Sequence, residues 1–326
     1  MLYLYTPADG NNTEGIGSVA QCQVHTYFIS KLFNIGFVSP SFTNLQHYQE
    51  HDTQEEFCKD VTAFFNFPYG NPFFFEDLNK SKVVKFDRID AKFINYLNEN
   101  KDIEEDRWVE IGKQDIMRFA DSNVANWAPF MDDLRPPQMC GCKPDSRTPE
   151  NTNWHCRNYF DDRQINFAIH ITNFIEGRDN DRNAQREQYV PGNTKEQYFI
   201  NLIRKFDDVF NRRENGSILR DNVYHIYSRS QTPGDTEQFK VFENLTSEIE
   251  GKVQLHIDEH PLTTLYQMIA ADVRVLSNSS YSYLAALYGA DNTISFARDN
   301  FQHKIPSNVI YTDYDGNFDD SLIVSK

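Results

Sequence analysis

The sequence predicts an α/β protein with two doubly wound parallel-sheet domains, and two patterns lead to that prediction. In the C-terminal half, short apolar runs alternate with segments of helical spacing, which is typical of a parallel sheet covered by helices. Near the N-terminus a strand, a glycine-containing loop and a helix follow one another, as at the start of a second domain of this kind. We therefore expect an N-terminal domain over residues 1–160 and a C-terminal domain over residues 161–326.

The C-terminal half contains short runs with the length and composition of buried strands, at residues 165–171, 223–227, 253–257, 273–276 and 293–296. Segments with helical spacing lie between them, at residues 194–210, 236–245, 262–271 and 281–288. Thr194 is followed three residues later by Gln197, which predicts a capping box at the first of these helices. Ligands of a parallel sheet bind beyond the carboxyl ends of its strands, so functional residues should follow the ends of these runs.

The N-terminal half has one organised stretch. Residues 3–5 and 37–38 have the pattern of strands, and an amphipathic helix is predicted over residues 19–33 between them. Residues 50–135 show no periodicity that predicts an element. Residues 139–154 are rich in Pro, Gly, Asn and Asp, which predicts a loop or linker.

The composition argues against some classes of partner and location. The net charge of −16 argues against nucleic acid as a partner, because neutralising phosphates needs a basic face, although a few Arg side chains can still hold a small anion. No run approaches the roughly 20 apolar residues of a membrane span, and the first residues lack the features of a signal peptide. We therefore expect a cytoplasmic protein, and the sequence indicates no particular oligomeric state.

The five Cys residues form an odd, widely spread set, which favours a reducing compartment. Cys140 and Cys142, together with His155 and Cys156, are the residues from which a zinc site would be built. Their spacing fits no common structural zinc pattern, so we interpret them as loop thiols and predict no metal site.

The clearest functional signal is a serine-rich turn after the strand at residues 273–276. It contains Ser277, Ser279, Ser280 and Ser282, with Tyr281 among them. Hydroxyl groups beside the free amides of a helix N-terminus form an anion site that suits a diphosphate. The alternative is a run of N-capping serines without a ligand, but one serine is enough for a cap, so four within six residues favour phosphate binding.

The other strand ends also carry polar residues. His170 and Thr172 lie at the end of the first run, Ser228 and Arg229 follow the second, and Asp258 follows the third. An Arg can donate to a diphosphate in a bidentate manner, and an Asp can accept from a nucleobase or ribose. Each residue alone also has an ordinary interpretation, as a structural His, a surface Arg or a turn Asp.

Several of these segments resemble, in order and spacing, the fucosyltransferase superfamily of GT-B glycosyltransferases, which includes α1,2-, α1,6- and protein O-fucosyltransferases. Ile169-His-Ile-Thr172 is similar to the family's I-H-x-R-x-G-D, and His225-Ile-Tyr-Ser228 is similar to its strand ending in I-x-S-D/E-G. The stretch over residues 271–286 is similar to A-D-x-x-I-x-S-x-S-S-F-S-x-x-A-A and is the most specific match. Related sequences occur in algae and in large algal viruses.

The resemblance implies a GT-B-like fold, in which two Rossmann-like domains face a cleft and the C-terminal one binds a nucleotide sugar. It implies inverting transfer to a glycan hydroxyl without a metal or another cofactor. One position departs from the family pattern, because the family's Arg is Thr172 here and the following G-D is missing. Either Arg229 or Arg178 supplies the missing charge, or the donor is bound weakly, or the donor is not GDP-fucose but, for example, UDP-xylose.

The N-terminal loop looks like the family's G-G-I/L-G loop, which faces the acceptor. It contains Glu14, Gly15 and Gly17. Glu14 is therefore the candidate general base that takes the proton of the acceptor hydroxyl, and His25 is the second candidate. Direct displacement would put negative charge on the leaving diphosphate, and the serine-rich turn together with Arg229 would stabilise it.

Two other classes of function stay open. One is a different nucleotide-sugar or phosphate-ester enzyme on the same architecture. The other is a non-catalytic nucleotide- or carbohydrate-binding relative, which Thr172 favours. A dinucleotide-dependent oxidoreductase is disfavoured, because Gly15 and Gly17 are not part of a G-x-G-x-x-G sequence.

Overall fold

The chain is described by a computed structural model over residues 2–11, 14–46, 53–65, 82–130, 160, 164–172, 195–210, 221–230, 236–289, 293–299, 301, 303 and 309–324. It divides into two units, Met1–Lys143 and Pro144–Lys326. This division lies within residues 131–159, which are outside the described part, and the boundary expected at residue 160 lies next to them. Each unit is built on a parallel sheet, so the prediction of two parallel α/β domains is confirmed.

The first unit contains a four-stranded parallel sheet with the strand order β2-β1-β4-β3. The strands are β1 (Leu2–Tyr5), β2 (Gly36–Phe37), β3 (Val83–Phe86) and β4 (Arg107–Ile111). The helices are α1 (Ile16–Leu32), α2 (Gln54–Phe65), α3 (Ala91–Asn100) and α4 (Lys113–Ser122). Short 3-10 turns follow α4 at Val124–Asn126 and Ala128–Phe130.

Helix α1 is the buried centre of the first unit, which corrects the expectation of an amphipathic helix at this position. Nearly every residue from Ile16 to Ser30 is buried, including polar ones. A helix buried on all sides shows no apolar stripe, and its polar groups must find partners inside the protein. Gln23 donates through Nε2 to the carbonyl of Thr6 at 2.9 Å, and Thr26 donates to the carbonyl of Cys22 at 2.7 Å.

The second unit contains a six-stranded parallel sheet with the strand order β7-β6-β5-β8-β9-β10. The strands are β5 (Gln164–His170), β6 (Asp221–Ser228), β7 (Lys252–Ile257), β8 (Val273–Leu276), β9 (Ile294–Arg298) and β10 (Val309–Thr312). The helices are α5 (Lys195–Phe210), α6 (Lys240–Leu245), α7 (Pro261–Ala270), α8 (Ser280–Tyr288) and α9 (Ser321–Val324), and a 3-10 turn, Glu237–Phe239, precedes α6. In order of appearance this is 3-2-1-4-5-6, the order of a doubly wound dinucleotide-binding sheet.

The elements predicted in the C-terminal half are confirmed to within about three residues at their ends. The predicted capping residue Thr194 lies outside the described residues. An aromatic core explains why these strands read as continuous apolar runs: Phe206 on α5 lies 5.2 Å from the ring of Phe167 on β5 and 4.7 Å from that of Phe296 on β9. Strands of a parallel sheet are buried on both faces, so their apolar residues do not alternate with polar ones.

A buried arginine joins the ends of two helices on the opposite face of this sheet. Arg274 on β8 is 1% exposed, and it donates to the carbonyl of Ile269 at 3.0 Å and to the hydroxyl of Ser295 at 3.3 Å. Burial lowers its pKa to about 10, so the guanidinium remains charged at neutral pH. The carbonyl belongs to the last turn of α7, where the helix dipole favours a positive charge.

Gly289, directly after α8, packs against the guanidinium group of Arg274. A Cβ atom there would lie 2.2 Å from Nη1 of Arg274, so Gly289→Ala should destabilise the protein by about 1–3 kcal/mol through overpacking. Gly112→Ala is the matched control, because a Cβ at Gly112 would meet nothing within 4 Å. Urea denaturation of both variants tests the expectation, and an equal loss of stability in the two variants would contradict it.

Candidate functional site

The strand order of the second unit reverses between β5 and β8. The crevice beyond the carboxyl ends of two such strands is where open α/β sheets bind their ligands. The ladder between β5 and β6 continues one residue past β5, because the amide of Ile171 donates to the carbonyl of Tyr227 at 2.9 Å. Thr172 follows directly, and its hydroxyl reaches Ser277 in the serine-rich turn after β8.

Two hydroxyl groups that follow β8 converge on the imidazole at the end of β5. Nδ1 of His170 lies 2.6 Å from Oγ of Ser282 and 2.8 Å from Oγ of Ser277. Oγ of Ser282 also accepts the backbone N–H of Ser277 at 3.2 Å, and Thr172 forms a short hydrogen bond with Oγ of Ser277. The expected residues are therefore brought together, although they lie more than 100 positions apart in the sequence.

This network changes the expected role of two serines. Ser277 is 5% exposed and Ser282 is fully buried, so their hydroxyls serve the internal network with His170 and do not form an open cradle. The physical reason is the imidazole: its nitrogen at the end of β5 needs a partner once α8 packs above it, and these two hydroxyls supply it. Ser279 and Ser280 are partly exposed residues of the turn.

The first turn of α8 has the geometry of a capped helix N-terminus. Ser279 is the N-cap, and its hydroxyl accepts the amide of Tyr281 at 3.1 Å, so the capping interpretation holds for this serine. Tyr281 forms a short hydrogen bond with the carbonyl of Pro261, and its ring lies 5.2 Å from that of His170. These contacts fix the beginning of α8 against both β5 and the beginning of α7.

The residues after β6 and β7 form the neighbouring wall of this edge. Ser228 donates its hydroxyl to the carbonyl of Ile171 at 2.8 Å, which joins the ends of β6 and β5. Asp258, at a backbone φ of 58°, accepts the amide of Ser230 at 2.9 Å and also its hydroxyl. Both carboxylate oxygens thus close the loop that carries Arg229, a partly exposed residue of this wall.

The first unit has a polar cluster at the corresponding edge of its own sheet. Lys113, which begins α4 directly after β4, forms an ion pair with Glu14 and also donates to the carbonyl of Asp9. Sequence reasoning missed Lys113, because the strand before it lies in a stretch without readable periodicity. A Gly-Lys pair after the run Trp108-Val-Glu-Ile111 is the signal that marks the end of that strand.

The other site residues predicted for the first unit, Gly15, Gly17 and His25, lie at different points along α1. Gly15 is the N-cap of α1, and Gly17 is buried in its first turn. His25 is fully buried, and at 1.5 Å per residue it lies about 14 Å along α1 from Ile16. His25, the second candidate base, therefore lies well along the helix from Glu14, which precedes α1.

Other expectations fall on residues outside the described part. Arg178 and the four residues of the zinc alternative, Cys140, Cys142, His155 and Cys156, are among them. The described part of the chain contains no cluster of three or more His, Cys, Asp or Glu residues suited to a metal ion. No helix in that part is long and apolar enough to cross a bilayer.

Comparison with known proteins gives structural neighbours only. No protein-family model matches the sequence, and no curated protein is significantly similar to it. A mutant of Arabidopsis thaliana FUT1 in complex with GDP is 9% identical, with a TM-score of 0.41, and the match covers 95% of this chain and 76% of that one. POFUT1 in complex with GDP-fucose is 10% identical, with a TM-score of 0.39, over 94% of this chain and 97% of that one.

The buried hydroxyl network predicts unequal effects for two neighbouring serines. Ser282→Ala should destabilise the protein by about 1–3 kcal/mol, because the amide of Ser277 and Nδ1 of His170 each lose a buried partner. Ser280→Ala, at a half-exposed position of the same helix, should change stability by less than about 0.5 kcal/mol. Urea denaturation measures both, and equal effects would mean that the network does not contribute to stability.

Proposed function

We propose that the protein is a glycosyltransferase that uses a nucleoside diphosphate sugar, and that its second unit binds the diphosphate beyond β5 and β8. The observation that carries the proposal is the meeting of His170 and the first turn of α8 at the strand reversal of a 3-2-1-4-5-6 sheet. A helix N-terminus at this position supplies oriented amides and a partial positive charge for an anion. The similarity of residues 271–286 to the donor-binding segment of fucosyltransferases supports the same assignment.

The groups available to a diphosphate differ in kind. Ser279 and Ser280 are partly exposed serines at the beginning of α8, and His170 is a partly exposed imidazole at the end of β5. Arg229, on the loop closed by Asp258, is our candidate for the cation that replaces the family arginine at Thr172. Its planar guanidinium can donate two hydrogen bonds to one phosphate.

The proposed reaction is a direct displacement. An acceptor hydroxyl attacks the anomeric carbon of the donor sugar while the bond to the diphosphate breaks. The products are a glycoside with inverted anomeric configuration and a nucleoside diphosphate. Negative charge grows on the leaving phosphate, where the helix N-terminus and Arg229 stabilise it without a metal. Glu14 is the proposed general base, and its ion pair with Lys113 holds the carboxylate in one position. GDP-fucose and UDP-xylose are the donors that we consider.

A non-catalytic binding protein is the second candidate function. It is favoured by Thr172, which occupies the position of the family arginine and directs its hydroxyl to the internal network through Ser277. Such a protein would bind a nucleoside diphosphate at the same edge of the sheet but would turn over no donor. Binding and turnover measured on the same preparation separate the two functions.

Nucleotide binding is tested with GDP, UDP, ADP and CDP in a thermal-shift series. One of them at a hundred times its dissociation constant should stabilise the protein by about 2.7 kcal/mol.

Ser280→Asp should weaken that binding at least about tenfold, because a carboxylate at the first turn repels the diphosphate while it favours the helix. Thr236→Asp, at an exposed N-cap of the same unit, is the control. Unchanged affinity in Ser280→Asp would place the nucleotide elsewhere.

The base is tested by turnover of the donor whose nucleotide binds. Glu14→Gln should lower the rate of nucleoside diphosphate release at least roughly a hundredfold, because a neutral amide cannot accept the acceptor proton. Affinity for the nucleotide should stay the same. Glu99→Gln, at an exposed position of α3, is the matched control. Wild-type turnover in Glu14→Gln would remove this residue from the role.

A further inference from the structure

Lys113 lies at a position where the local structure does not favour a lysine. It is the first residue of α4, directly after the N-cap Gly112, which provides no side-chain cap. A positive charge in the first turn of a helix opposes the helix dipole, which favours acidic residues there. The side chain of Lys113 is 22% exposed, so it is not an ordinary solvated surface charge. The groups that it contacts must therefore account for its position.

The two acceptors of the Lys113 ammonium group lie on the chain that follows β1. Nζ donates to the backbone carbonyl of Asp9 and to Oε2 of Glu14. Because β1 and β4 are paired parallel neighbours, the chain after β1 and the beginning of α4 leave the sheet at the same edge. The lysine thus joins both Asp9 and Glu14 to the beginning of α4.

The backbone of Glu14 is held by residues other than Lys113. Its amide donates to the carbonyl of Gly10 at 2.9 Å, and its carbonyl accepts the amide of Gln46 at 2.9 Å. The amide of Gly10 in turn donates to the carbonyl of Thr43 at 2.9 Å. The chain after β2 therefore fixes the backbone at Glu14, and Lys113 fixes its carboxylate.

The two oxygens of the Glu14 carboxylate differ in their contacts. Oε2 accepts from Lys113, whereas Oε1 has no hydrogen-bond partner among the residues that the structure describes. The side chain is 35% exposed. A general base needs a lone pair that the acceptor hydroxyl can reach. Oε1 offers that lone pair, while Oε2 is used by the lysine.

The thiol of Cys22 does not compete with Glu14 for the proton. Cys22, in the second turn of α1, is buried and lies close enough to Glu14 and Lys113 to feel both charges. Burial raises the pKa of this thiol to about 12. It stays protonated at neutral pH and cannot take up the proton of an acceptor.

We propose that Lys113 is a positioning residue of the reaction, which holds Oε2 of Glu14 so that Oε1 takes the proton of the acceptor hydroxyl. The inference rests on the proposed function, because it needs Glu14 as the base. The proton moves to Oε1 as the acceptor oxygen bonds to the anomeric carbon, and the electron pair of the breaking bond goes to the diphosphate. The ammonium group keeps its three protons throughout. Without it the carboxylate can adopt other rotamers, and a misplaced base is a slower one.

A double-mutant cycle on turnover of the donor whose nucleotide binds tests this role. Lys113→Met should lower kcat at least about tenfold and leave KM for the donor and the affinity for the nucleoside diphosphate unchanged, because the lysine acts on the base and not on the donor. Lys113→Arg, which keeps the charge and the donors, should retain most of the turnover. Added to Glu14→Gln, Lys113→Met should cause no further loss, because the base through which it acts is already absent.

Lys59→Met is the matched control, because it breaks a lysine–glutamate pair with Glu55 at the exposed surface of α2. Urea denaturation separates lost activity from lost folded protein, and Lys113→Gln is a second, milder variant for the same comparison. Full turnover in the folded Lys113 variants, or an additive loss in the double variant, would overturn the inference and leave Glu14 as the base. Full turnover in Glu14→Gln would contradict the base itself. A wild-type protein that binds the nucleotide but turns over no donor would contradict the proposed function.

Discussion

The reversal of strand order between β5 and β8 is the constraint on which the rest of the second unit depends. Parallel strands end at the same edge, and open α/β sheets have a crevice between the two strand ends at which the strand order reverses. His170, the last residue of β5, is hydrogen-bonded at this point to the first turn of α8. Everything proposed about an anionic ligand follows from these two placements.

The division of labour among the serines follows from burial. A fully buried hydroxyl must form its hydrogen bonds within the protein, as that of Ser282 does with His170 and with the amide of Ser277. Ser280, in the first turn of α8, is partly exposed. One serine-rich turn therefore combines a structural task with a surface suited to an anion.

Much of the second unit could be predicted from the sequence because its central strands β5, β6 and β8 are mostly buried on both faces and helices such as α5 have an apolar side. The clustering of His170, Thr172 and the serine-rich turn follows from the rule that ligands bind at carboxyl ends. Which hydroxyls point inward depends on how α8 packs over β5, and no local pattern records that. In the first unit, burial of α1 on every side removes the amphipathic stripe, and Lys113 follows a strand in a stretch without readable periodicity.

The central claim is that the crevice between β5 and β8 holds the diphosphate of a nucleotide sugar. A crystal structure of the protein with the nucleoside diphosphate that binds it tests this claim most directly. The account predicts phosphate oxygens within about 3 Å of a first-turn amide or hydroxyl of α8, close to His170. A diphosphate bound at another edge of either sheet, with this crevice unoccupied in the same crystal, would contradict it.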